Sequence, residues 1–324
     1  MLKEEEKKQL IKVAKMYYFQ ELTQAKIAEK LGVSRPVISK MLQKARDEGI
    51  VEITIHDEGY DLTELEQKII HHFQLDDVVI APTKNHAREK KEVALGRTTA
   101  QYVSKMIKKN VSTIGVSWGK SLYHMVKEYP IEKRENIKVI PLVGGVGPSA
   151  VELHANQIAY ELAKKLNGTC ESLYAPAVVE SAELKEELVR SPHIASVLEQ
   201  GKRVDLAVVG IGNPFQHSTI VEMGYLTEDE LEDLQKANII GDIGSKYIRK
   251  DGQEADHIIN QKSIGIELSD LKKIERVIGV AAGVHKVESI LAVLRGGYIN
   301  ILITDEQTAT VMSERMDQEK SEKV

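Results

Sequence analysis

The sequence predicts an α/β protein in two unequal parts, a small N-terminal helix-turn-helix module and a large parallel sheet covered by helices. Three observations carry this. Lys7 to Arg46 hold ten Lys/Arg against two acids, +8 within a chain of net charge −5, which leaves −13 for the rest. Two short amphipathic helices in that basic window meet at Gly32. From Asp77 onward, strand-like apolar runs alternate with helical ones, the pattern of a parallel sheet with helices on its faces. The length of 324 residues accommodates two domains.

In the N-terminal module, Leu10, Val13, Ala14 and Tyr17 recur at helical spacing, so 4–19 reads as a helix. Thr23 is a good N-cap for a second helix, which carries Ile27, Ala28 and Leu31 and ends at Gly32. Ser34 caps a third helix with Pro36 in its first turn. Val37, Ile38, Met41 and Leu42 form its apolar face, and it ends near Gly49. Ile50 to His56 alternates like a short strand. Ala28 permits close approach, Gly32 makes the turn, and Val33, Ile38 and Met41 are expected to fill the angle between the helices. The second helix of such a motif enters the major groove of double-stranded DNA with its N-terminal residues against base edges. Those residues are Arg35, Pro36, Ser39 and Lys40, beside the capping Ser34. Arg35 is the best candidate for a bidentate guanine contact. Thr23, Gln24, Lys44 and Arg46 are better placed for phosphates. Residues 1–56 therefore form the candidate DNA-binding domain.

Tyr60 to Phe73 reads as an amphipathic linker helix within 57–76, with Leu62, Leu65, Ile69, Ile70 and Phe73 on one side. Residues 77–312 then form the large domain, and 313–324 a polar, frayed tail. Its strands are DVVIAP, VSTIGVSW, IKVIPLVGG, DLAVVGIG, RVIGVAAG and INILIT. Helices are expected over Arg88–Met106, Lys120–Glu128, Val151–Leu166 and VESILAVL. In such sheets ligands bind outside the carboxyl ends of the strands, around the topological switch point. Glycine and small polar groups stand there four times: Ser117-Trp118-Gly119-Lys120-Ser121, Gly144-Gly145-Val146-Gly147, Gly210-Ile211-Gly212-Asn213 and Gly283-Val284-His285-Lys286. Glycine lets backbone N–H groups approach an anion, so these loops point to a phosphorylated or polyhydroxylated small ligand. Trp118 serves either core packing or a lid.

Other classes find little support. One cysteine, Cys170, excludes an internal disulfide framework and a four-cysteine zinc site. The paired His71 and His72 have no ligand-spaced partners, so no metal and no cofactor is expected. No Walker loop or full G-x-G-x-x-G fingerprint is present. No apolar run reaches membrane-helix length, and the charged N-terminus is unlike a signal peptide, so a cytoplasmic protein is expected. A sugar-phosphate isomerase would need a general base, for which Asp242, Glu152 and His154 are available, but no compact acid/base motif is formed.

The segments YYFQELTQAKIAEKLGVSRPVISKML, IGVSWGKSL, PLVGGVG, DLAVVGIGNP, GDIGSKY and GGYINILITDEQTA carry a resemblance over about 8–312. On them the chain resembles the SorC family of bacterial sugar-responsive transcriptional regulators. The resemblance implies a Rossmann-like, sugar-isomerase-type effector domain, a homo-oligomer, tetrameric on DNA, and a sugar-phosphate effector that changes operator binding. Carried over residue by residue, it places phosphate-facing groups at Trp118, Gly119, Lys120, Ser121, Gly283 and Lys286, with Ser117 at the start of that loop. It places sugar-facing groups at Gly144, Gly145, Gly147, His154 and Asn156, with Asp242 as an acceptor. Some members have a lysine or an arginine just before the glycine pair. Val143 stands there in this chain, which implies a ligand less charged at that end, such as a free sugar or a monophosphorylated sugar or polyol.

Overall fold

The structure, a computed structural model, describes residues 4–20, 22–51, 60–83, 88–108, 110–134, 136–145, 150–222, 224 and 226–321. The chain divides into two units, Met1–Asp57 and Glu58–Val324.

The small unit contains helices α1 (Glu4–Tyr18), α2 (Gln24–Leu31) and α3 (Arg35–Asp47). Leu10, Val13, Ala14, Ile27, Ala28, Ile38, Leu42 and Ala45 are its buried core. Thr23 Oγ1 accepts the Lys26 N–H at 3.3 Å and starts α2. Gly32, at φ 66°, ends it in the left-handed region that favours glycine. Three expectations are corrected. Val33 is 40% exposed rather than in the interhelical angle, and Val37 is 42% exposed rather than on the buried face of α3. The inward stripe of α3 runs through Ile38, Leu42 and Ala45, and Val37 lies one helical step, about 100°, to its side. Ser34 occupies the N-cap position of α3, but its side chain makes no capping bond. The strand expected over Ile50–His56 falls mostly outside the described residues.

Among the described residues, the large unit is built on one sheet of nine strands. They are β1 (Asp77–Ala81), β2 (Thr113–Val116), β3 (Lys138–Pro141), β4 (Thr169–Cys170), β5 (Leu206–Gly212), β6 (Ile239–Ile243), β7 (Lys246–Arg249), β8 (Val277–Val280) and β9 (Ile301–Asp305). Seven run parallel in the order β1-β9-β8-β5-β2-β3-β4. The β6–β7 hairpin hangs antiparallel from the end of β5. Strand side chains alternate between two cores, as the pleat requires. Leu206 and Val208 face one core, with α5 (Arg88–Ile107), α6 (Lys120–Glu128) and α7 (Ala155–Leu166). Ala207, Val209 and Ile211 face the other, with α4 (Tyr60–Phe73) and the helix Val287–Gly296.

Two boundary expectations change here. The helix read as a linker, α4, packs into the large unit's core through Ile69, and its Glu66 accepts the Ile80 N–H of β1 at 2.9 Å. The tail read as frayed from 313 onward continues the helix Glu306–Ser321, with Met312 and Met316 buried against the same core. Its polarity belongs to the outer face: Asp317 bonds Lys68 of α4 at 2.7 Å.

Candidate functional site

From β2 the chain adds β3 and β4 on one side, then returns to add β5, β8 and β9 on the other. The switch point therefore lies between β2 and β5, and the candidate cleft opens at their carboxyl ends. It encloses about 170 Å³. Its walls are the β2 loop with α6, the β5 loop, the loop after β8, the end of β9 with the start of the helix Glu306–Ser321, the start of α5, and Asp242 of β6.

Each wall is fixed locally. Ser117 Oγ accepts the Gly210 N–H at 3.0 Å and joins β2 to β5 across the switch point. Gly119 follows at φ 116° as the N-cap of α6, with no side chain to cap the first-turn N–H groups. The Trp118 indole N–H donates to Ser245 Oγ at 2.8 Å, and Lys120 pairs with Glu222 at 2.6 Å. Asn213 Oδ1 accepts the N–H groups of Phe215 and Gln216, while its amide donates to the His285 carbonyl at 2.6 Å. The β5 and β8 loops are thereby tied together. Gly283 N–H donates to Asp305 Oδ2 and Thr308 Oγ1, which anchors the β8 loop on the end of β9. Lys286 Nζ donates to the Ile211 carbonyl at 3.0 Å.

The electrostatics are mixed in sign. Lys91, Lys120 and Lys286 line the cleft with His217 and His285, whose rings meet edge-on at 5.1 Å. Asp242 is buried, and loss of hydration pushes its carboxyl up to about 6 although Lys286 and the Ser245 N–H pull the other way. Gly212 permits this placement, since a Cβ there would lie 1.9 Å from Asp242 Oδ1. The cleft can thus offer cations to a phosphate and an acceptor to a hydroxyl.

Of the residues singled out in the sequence, the fold brings Trp118, Gly119, Lys120, Ser121, Asp242, Gly283 and Lys286 together on this lining. Ser117 lies beneath it, buried and spent on Gly210. The described residues after β3, 142–145, are not on this lining. Val143 is buried, bridges Gly265, and shares a core cluster with Ile220 and Trp118 of the cleft. Gly144 packs on the backbone of Ala175 and Pro176, and Gly145 N–H bonds the Ala175 carbonyl at 2.8 Å. Asn156 is not a hydroxyl reader here, because both ends of its amide hold the backbone of Leu173, at 3.0 and 2.9 Å. His154 occupies the N-cap position of α7 without a side-chain capping bond, and its ring lies beside Gly145. Gly147 lies outside the described residues. His285 stands in a strand-end loop the sequence marks, and Asp305, the last residue of β9, is legible by the same rule. Lys91 and His217 reach the cleft through tertiary packing alone.

In the small unit, Ser34, Arg35, Pro36, Ser39 and Lys40 are exposed on the turn and first half of α3. Thr23 and Gln24 begin α2. Arg46 bonds Gln43 at 2.6 Å, and Lys44 is engaged by Glu6 at 2.5 Å. Among the described residues, no three His, Cys, Asp or Glu side chains gather as metal ligands, and no helix is long and apolar enough to cross a membrane.

The sugar-binding domain family model matches residues 58–312. A deoxyribonucleoside regulator of Bacillus subtilis (strain 168) is 33% identical over 310 residues, covering 95% of this chain and 98% of the relative. The sorbitol operon regulator of Klebsiella pneumoniae is 30% identical over 308 residues, covering 94% and 96%. The chain belongs to the SorC family of transcriptional regulators. The crystal structure of the full-length sorbitol operon regulator from Klebsiella pneumoniae matches this SorC-family chain with a TM-score of 0.84 at 29% identity, over 94% of this chain and 98% of that one. A DeoR family transcriptional regulator from Listeria monocytogenes matches 77% of this chain and 98% of its own, with a TM-score of 0.72 at 36% identity.

Proposed function

We propose that this regulator binds operator DNA through α3 and that a sugar, or a monophosphorylated sugar or polyol, bound in the β2/β5 cleft controls that binding. The supporting observation is the convergence of three strand-end loops, after β2, β5 and β8, and the end of β9 on one cleft, with Lys120 and Lys286 among its lining and Asp242 in its wall. Lys120, Lys286 and the uncapped first turn of α6 hold the anionic or hydroxyl-rich end, and Asp242 accepts from a hydroxyl. The protein works in the cytoplasm as a homo-oligomer, a tetramer on DNA. Control arises from differential affinity: the effector favours one arrangement of the protein and DNA another, so each changes the other's affinity by the same factor. The cleft is read as a sensor without turnover, in keeping with relatives named as regulators.

The test combines a thermal-shift panel of sugars and sugar phosphates with operator binding. A ligand of the folded state raises the melting temperature. Lys286→Ala is expected to weaken the effector by about tenfold to a hundredfold, as for loss of a charged hydrogen bond of about 1.5–3 kcal/mol. Operator affinity without effector should stay unchanged. A Lys286→Ala protein that responds to effector like the wild type overturns this assignment.

A further inference from the structure

We infer that Val37 is a specificity-determining residue that reads the C5-methyl group of a thymine in the operator. This rests on the DNA-binding reading of α3. Val37 is the third residue of α3, and it is 42% exposed while Ile38, Leu42 and Ala45 fill the inward side. Helix stability alone disfavours a valine there. The third helical position suits Glu or Gln, which can bond back to the N-cap, and a first turn suits acids. The first turn of α3 holds no acid, begins with Arg35, and has at its N-cap Ser34, whose side chain makes no capping bond. A local rule broken at an exposed position points to a demand from outside the fold.

The position indicates the partner. Arg35, Pro36, Ser39 and Lys40 surround Val37 with exposed groups at the end of the helix that meets base edges. In the major groove, the one apolar feature that distinguishes a base is the thymine methyl. An exposed branched apolar side chain among hydrogen-bonding and charged ones fits that feature, and it complements guanine reading by Arg35.

The full-length protein is first used to select duplexes from a random pool. Each thymine of the selected site is then replaced by deoxyuridine, which removes the methyl group alone, and binding is measured for wild type and Val37→Ala. One replacement should weaken wild type about fourfold, the worth of one buried methyl-sized group at ~0.8 kcal/mol. The same replacement should leave Val37→Ala unchanged, while all others affect both proteins equally. Equal losses in both proteins at every thymine, or no loss anywhere in wild type, overturn the inference while the DNA-binding reading stands. Selection that enriches no duplex overturns both.

Discussion

The loops after β2 and β3 leave neighbouring parallel strands through glycine and reach opposite surroundings. Gly119, after β2, takes φ 116°, and no atom lies within 4 Å of where a Cβ would sit. Its loop borders the cleft. Gly144, after β3, has ordinary backbone, but a Cβ there would meet the Pro176 oxygen at 2.4 Å and the Ala175 oxygen at 2.6 Å. Its loop is held by Gly144 N–H to Ile264 O at 3.0 Å and Ala177 N–H to Gly145 O at 2.7 Å. One glycine stands where space is kept open, and the other where no side chain fits. A glycine-rich strand end therefore marks close approach of backbone, either to a ligand or to more protein.

The largest expected effect separates the two loops sterically. Gly144→Ala forces a methyl group onto two backbone carbonyls that cannot rotate away, and it should cost about 3 kcal/mol of unfolding free energy. Denaturant unfolding measures this. A loss below about 1 kcal/mol would show that the 175–176 segment yields, and the contrast with the β2 loop would fail.

The next effect tests the cleft side, where the cost is electrostatic. Asp242 is held at about 6 against an ordinary value of 3.8, chiefly by loss of hydration. The folded state thus keeps the proton better than the unfolded one. The favourable contribution is full below pH 4 and is lost as pH rises through 6, by roughly 3 kcal/mol for a shift of about two units. Wild type should therefore lose stability relative to Asp242→Asn between pH 4 and pH 7. A stability difference that stays flat over this range would mean that Asp242 is hydrated, with the cleft wall more open than the β3 side.

Much of this was legible along the chain. Local signals in Thr23, Ala28 and Gly32 suffice for the helix-turn-helix, and the unbroken burial of Leu206 to Val209 in β5 matches its continuous apolar run. Lys120, Gly283 and Lys286 follow strands directly, so the sheet rule finds them. The failures have one physical source, which is that a polar or small residue does not announce its partner. The charge of 313–324 suggests a frayed tail, yet Lys68 of α4 holds its Asp317 from 249 positions away. Val37 matched an apolar period because Ile38 beside it is the true core position. His217 and Lys91 enter the cleft only once the β5 loop and α5 are packed.

Asn156 gives the smallest effect and the sharpest division between the loops. By sequence it sits after the β3 glycines, like a hydroxyl reader. In the fold its carboxamide bonds the Leu173 carbonyl at 3.0 Å and its oxygen accepts the Leu173 N–H at 2.9 Å. It thus replaces a strand partner for the segment that carries Ala175 and Pro176 against Gly144. Asn156→Ala leaves both Leu173 backbone groups unpaired, which should cost about 1–2 kcal/mol in unfolding. Effector affinity, measured by calorimetry on the folded variant, should be unchanged, because nothing in the cleft lining depends on Asn156. Asn156→Asp keeps the acceptor for the Leu173 N–H but sets a carboxylate against the carbonyl, so it should be no more stable than Asn156→Ala. A large loss of effector affinity at normal stability would instead return the β3 loop to the ligand, and the two loops would then share one task.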